Sequence, residues 1–120
     1  MKTILVVDDE FDTRSALQML LELEGFAVVS AQNGEVALKE IAQQRPDIIL
    51  TDWMMPVMDG LDLCRHIRAD PEIQTIPIIM LTAVPSAVHS KDEVWDSLLS
   101  KPADFNQLLP LMNRLLSRNE

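Results

Sequence analysis

Short, mainly apolar runs alternate with amphipathic segments from end to end of the chain. A run that is apolar at every position is typical of a parallel strand buried on both faces, and apolar residues three and four apart are typical of a helix packed on one side. The pattern predicts five strands, over Thr3–Val7, Ala27–Ala31, Asp47–Asp52, Pro77–Thr82 and Leu98–Ser100. It predicts helices over Phe11–Glu24, Glu35–Gln43 and Gly60–Ala69, a short fourth helix from the capping-box pattern Ser90–Glu93, and a last helix from Asp104–Gln107.

The order of these elements predicts an α/β fold. Strands and helices alternate with short connections, so the strands are expected to form one parallel sheet covered by helices on both faces. A length of 120 residues fits one domain with its own core and is too short for two. In an open sheet of this kind, the chemistry lies where the carboxyl ends of the strands meet.

Five polar residues stand at the carboxyl ends of the predicted strands. They are Asp8 and Asp9 after the first strand, Asp52 ending the third, Thr82 ending the fourth and Lys101 after the fifth. Three carboxylates brought together repel one another, and a hard cation such as Mg²⁺ relieves the repulsion through oxygen ligands. An aspartate can also attack phosphorus to give an acyl phosphate, whose charge a metal, a lysine and a hydroxyl stabilise. The set indicates a site for a cation and a phosphoryl group.

Composition argues against several function classes. The formal net charge of −9 makes the chain repel phosphate backbones and anionic lipid surfaces, which argues against direct binding to nucleic acid or membranes. Cys64 is the only cysteine, so an intramolecular disulfide and a thiolate metal cage are excluded and a buried, inert thiol is expected. No apolar run reaches transmembrane length and the first residues carry no signal-peptide pattern, so a cytoplasmic location is expected.

Four segments in a fixed order resemble a known family. They are Leu5–Glu10, Pro46–Gly60, Leu81–Ala83 and Lys101–Pro102. Together they closely resemble the receiver domain of two-component response regulators, in particular its single-domain, CheY-like members. The resemblance implies a flavodoxin-like, doubly wound fold with five helices and five parallel strands in the order 2-1-3-4-5. It also implies that residues 1–120 form one receiver domain, with no output domain within them.

The resemblance assigns a role to each residue that matches the family's motifs. It makes Asp52 the phosphoacceptor, and it makes Asp8, Asp9, Asp52 and the backbone carbonyl of Met54 the ligands of Mg²⁺. Thr82 matches the family's switch hydroxyl, and Lys101 matches the lysine that pairs with the phosphoryl group. The positions that shape the site in the family are matched by Pro56, Asp59, Gly60 and Pro102.

The function that the resemblance implies is that of a switch. A phosphoryl group passes, with Mg²⁺, from the phosphohistidine of a histidine kinase or phosphotransfer protein to Asp52. The receiver catalyses only its own phosphorylation and dephosphorylation, so it is not an enzyme acting on an external substrate. The added charge biases a two-state surface, and the expected downstream partner is a protein that binds the face formed by the fourth helix, fifth strand and last helix.

The chain departs from the family's pattern beside the predicted output face. Three residues before the lysine the family usually has an aromatic residue or histidine, and this chain has Leu98. A leucine cannot reproduce an aromatic ring that swings between buried and exposed positions, and Trp95 is the nearest aromatic that could substitute. The interval from Thr82 to Lys101 is also shorter than usual, which is consistent with a shortened fourth helix and a nonstandard output surface.

Two further positions tune dephosphorylation in the family, and here they are Met54 and Val84. Neither side chain can orient an attacking water by hydrogen bonding. We therefore expect slow self-dephosphorylation.

Two alternatives stay open. A degenerate receiver would keep the fold and act as an interaction module independent of phosphorylation, and Leu98 and the short fourth helix favour it. A phosphatase with an aspartyl-phosphate intermediate is the second alternative, but such enzymes usually carry another acid two residues after the nucleophile, where this chain has Met54. The five residues at the strand ends favour the phosphoacceptor switch over both.

Overall fold

The computed structural model describes residues 1–83 and 94–118. Within them the strands are β1 Thr3–Val7, β2 Ala27–Ala31, β3 Ile48–Asp52, β4 Ile78–Thr82 and β5 Ser97–Ser100. The helices are α1 Phe11–Leu23, α2 Gly34–Gln43, α3 Gly60–Ala69 and α4 Phe105–Arg118. The predicted last helix is therefore α4. The predicted fourth helix, with its pattern Ser90–Glu93, falls outside the described residues.

The five strands form one parallel sheet in the order β2-β1-β3-β4-β5. This order and the helices between the strands confirm the flavodoxin-like fold. Every residue of β1, β3 and β4 is buried, because these strands are paired on both edges and covered on both faces. Full burial explains why their sequences are apolar runs without alternation.

The core consists of two layers, one on each face of the sheet. One layer packs side chains such as Leu5 and Ile49 against α2 and α3, and the other packs Ile4 and Leu50 against α1 and α4. Alternate residues of one strand thus serve opposite layers. Cys64 lies fully buried in the first layer, and burial raises the pKa of its thiol to about 12, which agrees with the expected inert thiol.

Local signals in the sequence determine where the helices end. Gly25, directly after the cap of α1, has φ +94°, and the N–H of Phe26 donates to the carbonyl of Leu21, which closes the helix as the glycine predicted. Asn33 caps α2 and Asp59 caps α3, since each side chain accepts a hydrogen bond from an N–H of the first turn. These caps start both helices immediately beside the carboxyl edge of the sheet.

At the opposite, amino-terminal edge of the sheet, Arg68 of α3 joins several segments. Its guanidinium donates to the carbonyls of Val94 at 2.9 Å, Gln74 at 2.8 Å and Ile76 at 2.7 Å. It also forms an ion pair with Asp96 at 2.8 Å. One side chain therefore ties the start of β4 to the residues that lead into β5.

Asp96 completes the same cluster. Its carboxylate accepts the N–H of Ile78 at 2.7 Å and the guanidinium of Arg118, from the end of α4, at 3.1 Å. Its own N–H donates to the carbonyl of Ile78 at 2.8 Å. The sequence analysis did not identify Arg68 or Asp96, because a charged residue on a helix face and one in a loop look like ordinary surface positions.

Candidate functional site

The register of the sheet brings the polar strand ends together. Val7 is paired with Thr51, and Asp52 is paired with Leu81, so β1, β3 and β4 reach the carboxyl edge at nearly the same level. Thr82 is paired with Ser100, the residue before Lys101. The residues that follow these strands therefore emerge side by side, at the edge where open α/β sheets place their sites.

Three carboxylates lie in one cluster at this edge. Asp8, Asp9 and Asp52 each offer one oxygen, and these oxygens all lie within 4.8 Å of one another. Asp8 and Asp52 are buried and Asp9 is exposed, so the cluster is open to solvent on one side. Carboxylate oxygens at this separation suit a hard cation such as Mg²⁺, which uses one or two carboxylates and keeps several waters.

Lys101 places its ammonium group between two of these carboxylates. Its Nζ lies 2.8 Å from Oδ2 of Asp8 and 3.1 Å from Oδ2 of Asp52. The backbone N–H of Lys101 donates to the carbonyl of Thr82 at 2.8 Å, which fixes the chain end of β5 beside β4. The peptide bond from Lys101 to Pro102 is cis.

The electrostatics of the cluster show an excess of negative charge. Burial raises the pKa of Asp52 above its ordinary value, with a further contribution from the Asp8 charge, and the hydrogen bond and charge of Lys101 oppose the shift without reversing it. Burial lowers the pKa of Lys101, but its hydrogen bonds with Asp8 and Asp52 and their charges outweigh burial, so that pKa is raised overall. The Lys101 ammonium group contacts two of the three carboxylates, and a divalent cation would balance the remaining negative charge of the cluster.

The loop between β3 and α3 is fitted tightly under the cluster. A Cβ at Gly60 would overlap the backbone carbonyl oxygen of Asp52, and the N–H of Gly60 donates to the carbonyl of Trp53 at 2.7 Å. Asp59 is occupied as the cap of α3. Pro56 is exposed, and its carbonyl accepts the N–H of Met58 at 2.8 Å. Among the loop residues predicted to shape the site, Gly60 thus contacts the end of β3 through its backbone.

Met54, Leu98 and Trp95 are further residues from the sequence analysis whose positions the structure describes. The Met54 side chain is 71% exposed at the rim, and Leu98 is half-buried in β5, where it pairs with Met80. Trp95 packs half-buried against the same apolar layer as Leu98. Val84 lies outside the described residues.

Two residues near the cluster were missed by the sequence analysis. Arg14 of α1 donates to the backbone carbonyl of Asp8 at 2.6 Å, and its guanidinium lies 5.6 Å from the centre of the Phe11 ring. Thr51 precedes Asp52 and donates its hydroxyl to the Asp52 carbonyl at 2.9 Å. Arg14 has no sequence signal beyond its place on the helix. Thr51 had one, since it is a polar residue at the end of an apolar run.

The fold and this site define a class of protein, and comparison with known families agrees. The family model described as the response regulator receiver domain matches residues 4–113. The chain therefore belongs to the receiver domain family of two-component response regulators, whose members are phosphoacceptors, and the resemblance noted in the sequence is confirmed.

Curated relatives and solved structures are similar to this chain over nearly all of its length. The response regulator MprA of Mycolicibacterium vanbaalenii is 42% identical over 118 residues, which is 96% of this chain and 50% of that protein. The phosphate regulon transcriptional regulatory protein PhoB of Pseudomonas aeruginosa is 35% identical, over 98% of this chain and 52% of that protein. The chain thus spans about half the length of these curated relatives.

Among solved structures, the response regulator TrrA of Thermotoga maritima, in complex with Mg²⁺ and BeF, has a TM-score of 0.85 and 34% identity, over 96% of this chain and 99% of that one. A response regulator from Chloroflexus aurantiacus has a TM-score of 0.89 and 34% identity, over 97% and 98%. The acidic cluster described above is consistent with Mg²⁺ binding. Among residues 1–83 and 94–118, no helix is both long and apolar enough to span a bilayer.

Proposed function

We propose that this chain is a Mg²⁺-dependent phosphoacceptor that receives a phosphoryl group on Asp52 from the phosphohistidine of a partner protein. The observation that carries the proposal is the cluster itself, in which three carboxylate oxygens lie within 4.8 Å of one another and Lys101 contacts two of the carboxylates. Family membership supports the same reaction.

Asp52 is the proposed nucleophile. Its carboxylate oxygen forms a bond to phosphorus while the phosphorus–nitrogen bond of the donor breaks, and the electron pair of that bond returns to the imidazole ring. Burial raises the pKa of Asp52, which makes the carboxylate a better nucleophile than a solvated one. Lys101 then turns its ammonium group from the carboxylates to the phosphoryl oxygens, and Thr82 offers its hydroxyl to the same group.

The donor set fits the proposed cation. Asp8, Asp9 and Asp52 supply carboxylate oxygens, and the backbone carbonyl of Met54 is the further oxygen ligand that we assign to it. Bound there, Mg²⁺ supplies a Lewis acid that offsets the negative charge of the transferring group. Lys101 neutralises part of the negative charge of Asp8 and Asp52, so the protein's own residues hold these carboxylates together before the cation binds.

A histidine kinase or phosphotransfer protein is the proposed donor, and the surface beside the site supports docking of a protein. Phe11, at the start of α1 next to the site, is 68% exposed, and other large apolar side chains farther along this helix are exposed as well, such as Met19 at 59%. A groove of about 600 Å³ runs from α1 to Lys101 and has Leu17 and Pro102 in its lining. Exposed apolar area of this kind marks interaction surfaces. For the downstream partner we propose the face that includes β5 and α4.

We also propose that the phosphorylated state is long-lived, because the exposed Met54 side chain offers no hydrogen bond to an attacking water. Met54→Asn should therefore speed hydrolysis of the aspartyl phosphate about tenfold, less than the roughly 100-fold or more of a positioned proton-transfer group, because an amide orients the water without taking its proton. Loss of the phosphoryl group is followed by intact mass after removal of the donor. Met54→Leu is the matched control, and an Asn variant that decays at its rate would contradict the proposal.

The experiment for the main proposal is intact mass measurement after incubation with acetyl phosphate, with and without Mg²⁺, for the wild type and Asp52→Asn. One phosphoryl group added only with Mg²⁺, and only when Asp52 is present, is the expected result. No adduct with acetyl phosphate or with a phosphorylated histidine kinase would refute it.

That second result would favour the alternative of an interaction module independent of phosphorylation. The observation behind this alternative is Leu98, which stands in β5 where the family usually has an aromatic residue. The two readings differ in their effect on a downstream partner. Binding that changes on phosphorylation supports the switch, and binding that a phosphoryl donor leaves unchanged, in the wild type as in Asp52→Asn, supports the module.

A further inference from the structure

Thr51 is a buried hydroxyl at a position that packing alone does not explain. It follows Ile48, Ile49 and Leu50 in β3 and is 0% exposed. Its neighbours in the adjacent strands are Val7 and Met80, both apolar and buried. A valine has nearly the same shape as a threonine and carries no hydroxyl. A hydroxyl in the core costs stability unless it is hydrogen-bonded.

The hydroxyl of Thr51 is used on the backbone of the next residue. It donates to the carbonyl oxygen of Asp52 at 2.9 Å, and both groups are buried. The same carbonyl oxygen is the atom against which Gly60 packs so closely that a Cβ would overlap it. The carbonyl of Asp52 is thus held on one side by a hydrogen bond and confined on another by the start of α3.

The peptide group that begins with this carbonyl is held at its other end as well. The N–H of Trp53 donates to the carbonyl of Leu81 in β4 at 3.1 Å, and the carbonyl of Trp53 accepts the N–H of Gly60 at 2.7 Å. Two successive peptide groups after Asp52 therefore have fixed planes. Few backbone torsions remain free where the strand gives way to the loop.

This peptide group joins the two parts of the proposed site. On one side of it is the Asp52 Cα, which carries the proposed nucleophile, and beyond it is Met54, whose carbonyl is a proposed metal ligand. A change in the ψ torsion of Asp52 turns this peptide plane about the Cα–C bond and would move the Met54 carbonyl relative to the Asp52 carboxylate. We infer that Thr51 is a positioning residue for phosphorylation, which acts by fixing the plane of the Asp52–Trp53 peptide. The inference rests on the proposed function.

Two substitutions separate positioning from packing. Thr51→Val keeps the β-branched shape and removes the donor, whereas Thr51→Ser keeps the donor and removes a methyl group. If packing were the whole role, Ser would be the poorer variant because it leaves a small cavity. Positioning predicts the reverse order for the chemistry, with Val impaired and Ser close to wild type.

The readouts are the rate of phosphorylation by acetyl phosphate at saturating Mg²⁺, the Mg²⁺ affinity, and stability to urea. Trp53 fluorescence reports metal binding beside Asp52, and all proteins carry Trp95→Phe so that one tryptophan contributes. For Thr51→Val we expect about a tenfold lower rate and a several-fold weaker Mg²⁺ affinity, the order expected for one lost hydrogen bond and a small misplacement. Thr51→Ser should stay within about twofold of wild type, because its donor remains. Thr51→Ala also removes the donor but has a smaller side chain, so it should show a similarly lowered phosphorylation rate. It replaces Thr51→Val in the comparison if that variant proves unstable.

The outcomes are distinct. Val equal to wild type in rate and affinity, or Ser impaired as much as Val, overturns the positioning role. If the wild type itself takes no phosphoryl group, the proposed function is overturned, and the Mg²⁺ affinities then decide the positioning role alone. A weaker affinity for Val and Ala but not for Ser supports it, and equal affinities reject it.

Discussion

Gly60→Ala tests whether the backbone of the β3–α3 loop, rather than its side chains, sets the geometry of the phosphoacceptor. A Cβ at this position would overlap the carbonyl oxygen of Asp52 and would lie only 3.0 Å from the Cα of Trp53. Both contacts are with backbone, so no side chain can rotate away. The loop or the end of β3 must shift by roughly 1 Å to restore ordinary separations, and a misplacement of that size in a reacting group costs about 100-fold in rate.

The effect on stability should be smaller than the effect on rate. Forcing an extra methyl group into a packed site costs about 1–3 kcal/mol, and the better helix propensity of alanine returns at most about 1 kcal/mol. We therefore expect a net loss of about 1–2 kcal/mol in the free energy of unfolding, together with a phosphorylation rate reduced by about two orders of magnitude. Urea unfolding measures the first quantity, and mass-resolved phosphorylation by acetyl phosphate measures the second.

Gly34→Ala is the matched control, because Gly34 also begins a helix at this edge of the sheet. The three atoms nearest to its added Cβ would all belong to the side chain of Met58, the closest at 2.7 Å, and a flexible methionine side chain can move aside. Gly34→Ala should keep nearly the wild-type phosphorylation rate. The reasoning fails if both variants lose activity equally, or if Gly60→Ala is phosphorylated as fast as the wild type.

Three further predictions concern stability. Arg68→Met removes four hydrogen bonds made by one guanidinium and should cost about 2–3 kcal/mol in urea unfolding. Arg65→Met, on the same helix, loses an exposed ion pair with Asp62 and should cost under about 0.5 kcal/mol. Similar losses for the two variants would show that the Arg68 contacts are not stabilising. Burial raises the pKa of Asp52 above its ordinary 3.8, so ionising it disfavours the folded state as pH rises. Asp52→Asn should therefore be more stable than wild type at neutral pH, with the advantage shrinking as pH falls towards 3.8, and a pH-independent difference in thermal unfolding would argue against this cause. Val57 has φ +72°, a conformation that costs a β-branched residue about 1–2 kcal/mol. Val57→Gly should therefore raise the melting temperature slightly, although glycine adds conformational entropy to the unfolded chain. A lower melting temperature for Val57→Gly would refute the strain at this position.

Most strands and helices could be predicted from the pattern of apolar residues, because a strand buried on both faces has an apolar run in the sequence. Strands β1 and β2 and helix α3 have the predicted bounds, and the other strands differ by one residue, at their first positions. The buried face of helix α1 could not be predicted as well from the sequence. Leu20 and Leu23 are as apolar as Leu21, yet Leu21 is buried and the other two are 41% and 79% exposed. Which leucines face the sheet depends on how the helix docks, and local sequence does not contain that information.

The candidate site, like the fold, was partly predictable from the sequence and partly dependent on the tertiary structure. The sequence placed acids, a threonine and a lysine at strand ends, and a parallel sheet necessarily gathers such ends at one edge. It could not show that the Lys101 ammonium group lies between Asp8 and Asp52. Nor could it show that Arg68 joins segments at the amino-terminal edge of the sheet, or that the Thr51 hydroxyl donates to the Asp52 carbonyl. Those contacts join residues from separate elements, or depend on the angle of a single peptide group.

The sequence by itself thus determined the alternation of elements, the parallel sheet and the identity of the polar strand ends, because these depend on local burial patterns and on chain order. The tertiary structure decided the register that brings Asp52 beside Asp8, the close approach of Gly60 and the burial that raises the pKa of Asp52. These properties depend on distances of a few ångströms between segments far apart in the chain. Only the packed structure sets such distances, because they result from all the side chains in the two core layers fitting together at once.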